Sequence, residues 1–235
     1  MTDELQFLEL SLPAPDVRDS LEWYRSLGFI ELSTTDVRNY PYAVVTDGHF
    51  CLGLHGSILA APGLTFVRPN LEKHVRSLQL EGDHFEQISL GTDEFHEAVQ
   101  ADPNGSLAIM LEARTFSPSH DTDATPLTGM LDRLGLPCLH IAESLEFWQR
   151  YGFMAVESED SDHAELHRPG LAIELQAGTR NIMLRFQPPD YDAAVATLNR
   201  THELKMFNQH GLQGVELTAP EGTRLQVLAS QPDNN

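Results

Sequence analysis

Two stretches of the chain repeat one another at a constant offset of 124 residues, and this duplication limits the fold more than any local signal does. Residues 10–29 read LSLPAPDVRDSLEWYRSLGF and residues 134–153 read LGLPCLHIAESLEFWQRYGF, with eight of the twenty aligned positions identical. Leu12/Leu136, Pro13/Pro137, Ser20/Ser144, Leu21/Leu145, Glu22/Glu146, Gly28/Gly152 and Phe29/Phe153 are among them. The aromatic pairs Trp23/Phe147 and Tyr24/Trp148 fall in register and read as core packing. Each copy begins with a short apolar strand, expected at Phe7–Leu12 and Leu134–Leu139, and runs into a helix. In the first copy Asp16 is placed to cap that helix, and Leu21, Tyr24 and Leu27 share one face. Gly28 and Gly152 stand where a left-handed residue ends a helix.

Alternating stretches follow each helix, Tyr42–Thr46 and Cys51–His55 in one copy, Ala164–His167 and Leu171–Gln176 in the other, with Gly48 and Gly170 at the turns. A fainter pair of units lies after each copy. Residues 70–82 predict a helix capped by Asn70, and residues 190–200 one capped by Asp190. Each leads to strands and a Pro-x-Gly turn, Pro103-Asn104-Gly105 and Pro220-Glu221-Gly222, before a last strand. The order strand, helix, three strands therefore occurs four times. Residues 114–130, rich in Ser, Thr, Pro and Asp, read as a linker between units 1–113 and 131–230.

The chain's 235 residues suit two units of about 110 each. A formal charge of −20 disfavours nucleic acid and anionic membrane as partners, and favours a cationic ligand if it acts on ligands at all. No apolar run is long enough to span a membrane. The opening MTDELQFLEL has no basic stretch, so no signal peptide is expected. The two cysteines, Cys51 and Cys138, fit a cytoplasmic protein and read as small core residues.

A Leu-x-Leu-Pro strand, a Ser-Leu-x-aromatic-aromatic helix ending in Gly-Phe, and the late Asp102-Pro103-Asn104-Gly105 turn together resemble the vicinal oxygen chelate superfamily. That group includes glyoxalases, bleomycin-resistance proteins and extradiol dioxygenases. The resemblance implies an α+β fold of four βαβββ modules, paired into two glyoxalase-like domains with curved mixed sheets around a cavity. It also implies four inward positions per cavity, one on the first and one on the last strand of each of two modules. In metal-dependent members these hold a divalent ion. In the first half the matching positions are Glu9, Gly53, a residue near Gly63–Phe66 with no ligand, and Ile109 or Met110. His55 shares the inward face with Gly53. In the second half they are Arg133, Glu174, Asn181 or Ile182, and Gln226. Arginine cannot ligate metal. Glu174 and Gln226 alone remain as ligand candidates, and an Arg133–Glu174 ion pair offers a replacement for metal.

The run Ser161–His167 adds a further cluster, because His163, Glu165 and His167 share one strand face. With Glu174 they are the candidates for acid–base work. The competing reading is a solvated strand end beside the acidic run 157–160. His49, His74, His120 and His210 read as solvated or edge residues. The reading is a small-molecule binder of the glyoxalase and bleomycin-resistance type, monomer or homodimer, with no cofactor expected. The alternatives are a lyase, isomerase or dioxygenase with one divalent-metal or acid–base site in the second half, and an interaction protein whose cavities have degenerated.

Overall fold

The computed structural model describes residues 5–34, 39–56, 59–93, 95–112, 123–156, 161–209 and 211–229. His120, His210, the acidic run 157–160 and linker residues 114–122 lie outside the described residues. The first module comprises β1 (Gln6–Pro13), α1 (Val17–Ser26), β2 (Ile30–Leu32), β3 (Tyr42–Thr46) and β4 (Cys51–His55). The second has β5 (Gly63–Arg68), α2 (Leu71–Leu80), β6 (Gln87–Ser89), β7 (Glu97–Ala101) and β8 (Leu107–Glu112). The third has β9 (Met130–Leu136), α3 (Ile141–Arg150), β10 (Met154–Ala155), β11 (His163–Arg168) and β12 (Leu171–Gln176). The fourth has β13 (Met183–Gln187), α4 (Tyr191–Leu198), β14 (Lys205–Gln209), β15 (Leu212–Thr218) and β16 (Arg224–Leu228).

Modules pair within each half of the chain. The first sheet runs β2-β3-β4-β1-β5-β8-β7-β6 and the second β10-β11-β12-β9-β13-β16-β15-β14, both curved and unclosed. β1 meets β4 in parallel and β5 antiparallel, and β9 meets β12 and β13 in the same way. Both first strands carry a bulge at one place: the β1–β5 register slips between Phe7 and Glu9, and the β9–β13 register slips at Asp132. The bulge bends the strand just before Glu9 and Arg133, the positions that open the concave face.

Helix ends follow local chemistry. Asp16 accepts from the backbone N–H of Arg18 and Asp19, and Asp190 from that of Ala193. Asn70 departs from expectation: it stands in the left-handed region at φ 56° and makes no side-chain cap. Asn tolerates that conformation better than most side-chain-bearing residues. Gly28 adopts φ 89° at the end of α1, and a Cβ there would also press on the Thr125 carbonyl. The first strand of the third module differs too: it covers Met130–Leu136 rather than Leu134–Leu139. Asp132 and Arg133 belong to it, their charges answered by one another and, for Arg133, by Glu165 across the sheet, and Pro137 follows its end.

One apolar core joins the halves. Leu10, Leu52 and Phe66 belong to the same cluster as Leu134, Ile173 and Phe186. Phe29, just past α1, packs on Phe186 of β13, and Tyr151, just past α3, on Phe66 of β5. The helix-bearing faces of the two sheets thus face one another, and their concave faces turn away. Linker residues 123–129 dock on this assembly: Leu127 N–H donates to Leu27 O and Thr128 is fully buried.

The repeated aromatics do more than fill space. Tyr24 Oη and Ser20 Oγ donate to Glu221 in the second half's Pro-x-Gly turn, at 2.8 and 2.7 Å. In mirrored fashion Trp148 Nε1 and Ser144 Oγ reach Asp102 at 3.3 and 3.4 Å, and Asn104 donates to Ser144 Oγ at 2.5 Å. Burial drives the Tyr24 hydroxyl well above its ordinary range, with Glu221's charge adding to it, and burial likewise raises the Asp102 carboxyl. Removing the acceptor should cost the full desolvation of a buried hydroxyl. Glu221→Ala is expected to lower unfolding free energy by about 1–3 kcal/mol in urea denaturation, while Glu221→Gln keeps an acceptor and loses less.

Cys138 is fully buried and Cys51 half-buried. Burial raises both thiols, that of Cys51 to about 11, with Thr46 partly opposing. Native Cys51 should react with iodoacetamide at pH 8 on the order of a hundredfold more slowly than in urea-unfolded protein, because the thiolate is the nucleophile. Mass spectrometry of timed alkylation checks this.

Candidate functional site

Strand register fixes which residues meet on each concave face. In the first sheet Glu9 lies opposite Thr65, Ser11 beside Gly53, and Thr65 beside Ile109. In the second Arg133 lies opposite Arg185, Gly135 beside Glu174, and Arg185 beside Gln226. The four inward positions are therefore Glu9, Gly53, Thr65 and Ile109 in one half, Arg133, Glu174, Arg185 and Gln226 in the other. Thr65 and Arg185 each sit between matching neighbours, Leu64-Thr65-Phe66 and Leu184-Arg185-Phe186.

In the first half the Glu9 carboxylate, 2% exposed, takes up the room that a side chain on Gly53 would need. Ser11 Oγ donates to Glu9 Oε1 at 2.9 Å, His55 Nε2 donates to the same oxygen at 2.9 Å, and Tyr42 Oη donates to Oε2 at 2.7 Å. Thr65 Oγ1 stands 2.6 Å from Ser11 Oγ, and Tyr40 Oη 3.1 Å from His55 Nδ1. Beside this network Val67, Val99, Leu107, Ile109 and Leu111 form a second apolar cluster, apart from the main core. The face is filled by its own side chains: a buried carboxylate with three donors, flanked by hydrocarbon.

The second half is polar throughout. Glu174, 5% exposed, pairs with the Arg185 guanidinium through Oε2 and accepts from His163 Nε2 at 3.1 Å through Oε1. Arg185 Nε donates to Gln226 Oε1 at 3.1 Å, and Gln226 Nε2 to Glu216 Oε2 at 3.2 Å. Arg224 closes the chain on Glu216 Oε1, through Nε at 3.0 Å and Nη2 at 2.8 Å. The expected Arg133–Glu174 pair does not form, because Arg185 holds Glu174. Arg133 turns instead to Asp132 at 2.7 Å and to Glu165. Glu165 in turn lies 3.6 Å from His167, which is half exposed. Burial, with Arg133 close by, lowers the Arg185 guanidinium to about 10. Burial would lower Arg133 as well, but Asp132 and Glu165 more than offset it.

Next to this network is a cavity of about 280 Å³, lined by Glu174, Arg185 and Gln226 together with Gly135, Leu136, Met183, Arg180 and Arg224. His163, Glu165, His167 and Arg133 are not among its walls. Gly135 stands where the first half has Ser11 and lines the cavity, with Met183 packed close over it: a Cβ at Gly135 would lie 3.2 Å from that of Met183.

A divalent ion does not suit either set of positions. In the second half a guanidinium occupies the middle of the four, acting only as a donor and sitting on the one carboxylate. In the first half both Glu9 oxygens are committed to donors, and Gly53, Thr65 and Ile109 supply no second carboxylate or imidazole. Among the described residues, no group of three or more His, Cys, Asp or Glu is placed to hold a metal ion.

The residues missed at sequence level are Arg185, Glu216 and Arg224 in one half, and Ser11, Tyr42 and Thr65 in the other. For Arg185 a signal existed in the Leu-x-Phe triplet shared with Leu64–Phe66; the last module's first strand, expected near Asn181 or Ile182, begins only at Met183.

No protein-family profile matches the chain, and no curated protein matches it by sequence. Solved structures do match in fold. The 2,3-dioxygenase LapB from Pseudomonas sp. KL28 superposes with a TM-score of 0.65 at 17% identity, covering 100% of this chain and 96% of its own. Homoprotocatechuate 2,3-dioxygenase from Arthrobacter globiformis gives 0.66 at 15% identity, over 99% and 83%. An extradiol ring-cleaving dioxygenase from B. fuscum gives 0.65 at 15%, over 99% and 75%. The chain has the fold of these extradiol dioxygenases. Among the described residues no helix is long and apolar enough to cross a membrane.

Proposed function

We propose that the chain is a small-molecule-binding protein whose ligand enters the concave face of the second sheet and is held without a divalent metal. Residues 1–113 and 131–230 act as two glyoxalase-like units, the first serving as scaffold. The observation that carries this reading is the Arg185–Glu174 ion pair, which puts a fixed cation among the four inward positions. The adjoining cavity of about 280 Å³, just under the roughly 300–1,000 Å³ common for ligand pockets, gives a small ligand its place. Acid–base catalysis by His163 has less support, since His163 bonds Glu174 from outside the cavity wall.

Elemental analysis of purified protein, with a thermal-shift panel of Mn²⁺, Fe²⁺, Zn²⁺ and Mg²⁺, tests this reading. The expected outcome is no stoichiometric metal and no metal-dependent rise in melting temperature. A stoichiometric divalent ion that disappears in Glu174→Ala would overturn it.

A further inference from the structure

The sign of charge around the cavity opposes that of the chain. The protein carries a formal −20, yet the cavity wall holds Arg180, Arg185 and Arg224 against one carboxylate, Glu174. Glu174 answers Arg185, and Glu216 answers Arg224 from behind the wall. Arg180 is exposed and has no partner among the described residues, so one positive charge of the cavity wall is left over. Arg224 commits two donors to Glu216, and a guanidinium has five. Leu136 and Met183 supply apolar wall between these groups.

We propose that this cavity takes a small organic monocarboxylate, its anionic end on the free donors of Arg180 and Arg224 and its apolar body on Leu136 and Met183. Guanidinium groups match the geometry of a carboxylate and bind it by charge-assisted hydrogen bonds. The preference for cations that the net charge implies does not hold at this site, because a field is set locally by the nearest groups when they are partly shielded from water. This inference rests on the metal-free binding reading and names its ligand class.

Isothermal titration of the full chain with benzoate, benzylamine and benzyl alcohol, three probes of similar shape and different charge, tests it. Benzoate should bind saturably at one per chain, with benzylamine about tenfold weaker or worse. Arg180→Glu, a change at an exposed position, should weaken benzoate about tenfold while leaving the apo melting temperature in place, and Met183→Trp should block the cavity. Benzylamine or benzyl alcohol binding as well as benzoate, and lost in Met183→Trp, would overturn the anion while keeping the small-molecule reading. Benzoate affinity untouched by both variants would put its site elsewhere and overturn the proposal, as would no benzoate binding at millimolar concentration. Stoichiometric metal removed by Glu174→Ala would overturn both readings together.

Discussion

Arg185→Met is expected to lower the unfolding free energy by about 3 kcal/mol, seen as a drop of roughly 6–12 °C in melting temperature. The variant keeps the length and most of the apolar volume of the side chain, so little packing is lost. What it removes is the counter-charge of a carboxylate that is 5% exposed. Stripping one partner from a buried pair typically costs about 3–5 kcal/mol, because an uncompensated charge stays behind. His163 still donates to Glu174, which places the effect at the low end of that range. Arg185 also loses its bond to Gln226, whose amide remains tied to Glu216.

The double variant Arg185→Met/Glu174→Leu separates a charge effect from a packing effect. With both charges gone the site becomes hydrocarbon, and such replacements are often neutral or stabilising. The double variant should therefore recover most of the loss, giving a coupling energy of about 2 kcal/mol or more between the two positions in urea denaturation. If Arg185→Met alone stays within about 0.5 kcal/mol of the parent, the ion pair is not the buried counter-charge described here.

Local sequence made the strand–helix units legible, and long-range register hid most of the site. The first copy shows an apolar strand, a capping Asp16, a 3.6-residue stripe and Gly28 at its end; all are features that neighbouring residues set among themselves. Three of the four edge strands, β2, β6 and β10, are two or three residues long with no buried residue, so they carry no alternation to detect. Alternation groups the residues of one strand by face, as it does Gly53 with His55. It cannot say which strand lies beside which at what offset, and a slip of one residue reverses every side chain. Arg133 illustrates the difficulty. Its choice of Glu165 over Glu174 depends on Arg185, a residue 52 positions further along whose strand starts later than expected. An arginine between Leu184 and Phe186 also reads as surface by composition, and only the matching triplet around Thr65 reveals it as an inward position.

Gly53→Ala, ordinarily among the mildest of substitutions, is expected to destabilise this protein by about 3–5 kcal/mol. In a strand interior the change should help slightly, since alanine has less backbone entropy to lose. Here a Cβ would overlap the Glu9 carboxylate, which is the charged end of a buried side chain with no solvent to retreat into. Displacing it breaks the bonds from Ser11, His55 and Tyr42 together, and leaves both a charge and its donors desolvated. The two halves make the logic testable by exchange. The second half keeps its carboxylate on β12, at Glu174, with the β9 position given to Arg133. The first half keeps it on β1, at Glu9, with the β4 position left bare. Glu9→Ala/Gly53→Ala should thus be no less stable than Glu9→Ala alone, because the overlap has gone. Glu9→Ala/Gly53→Glu should regain part of the loss, since a carboxylate returns to the same donors from the neighbouring strand. Additive costs in this cycle, or a Gly53→Ala variant with an unchanged urea midpoint, would show that Glu9 does not occupy the space of the missing side chain.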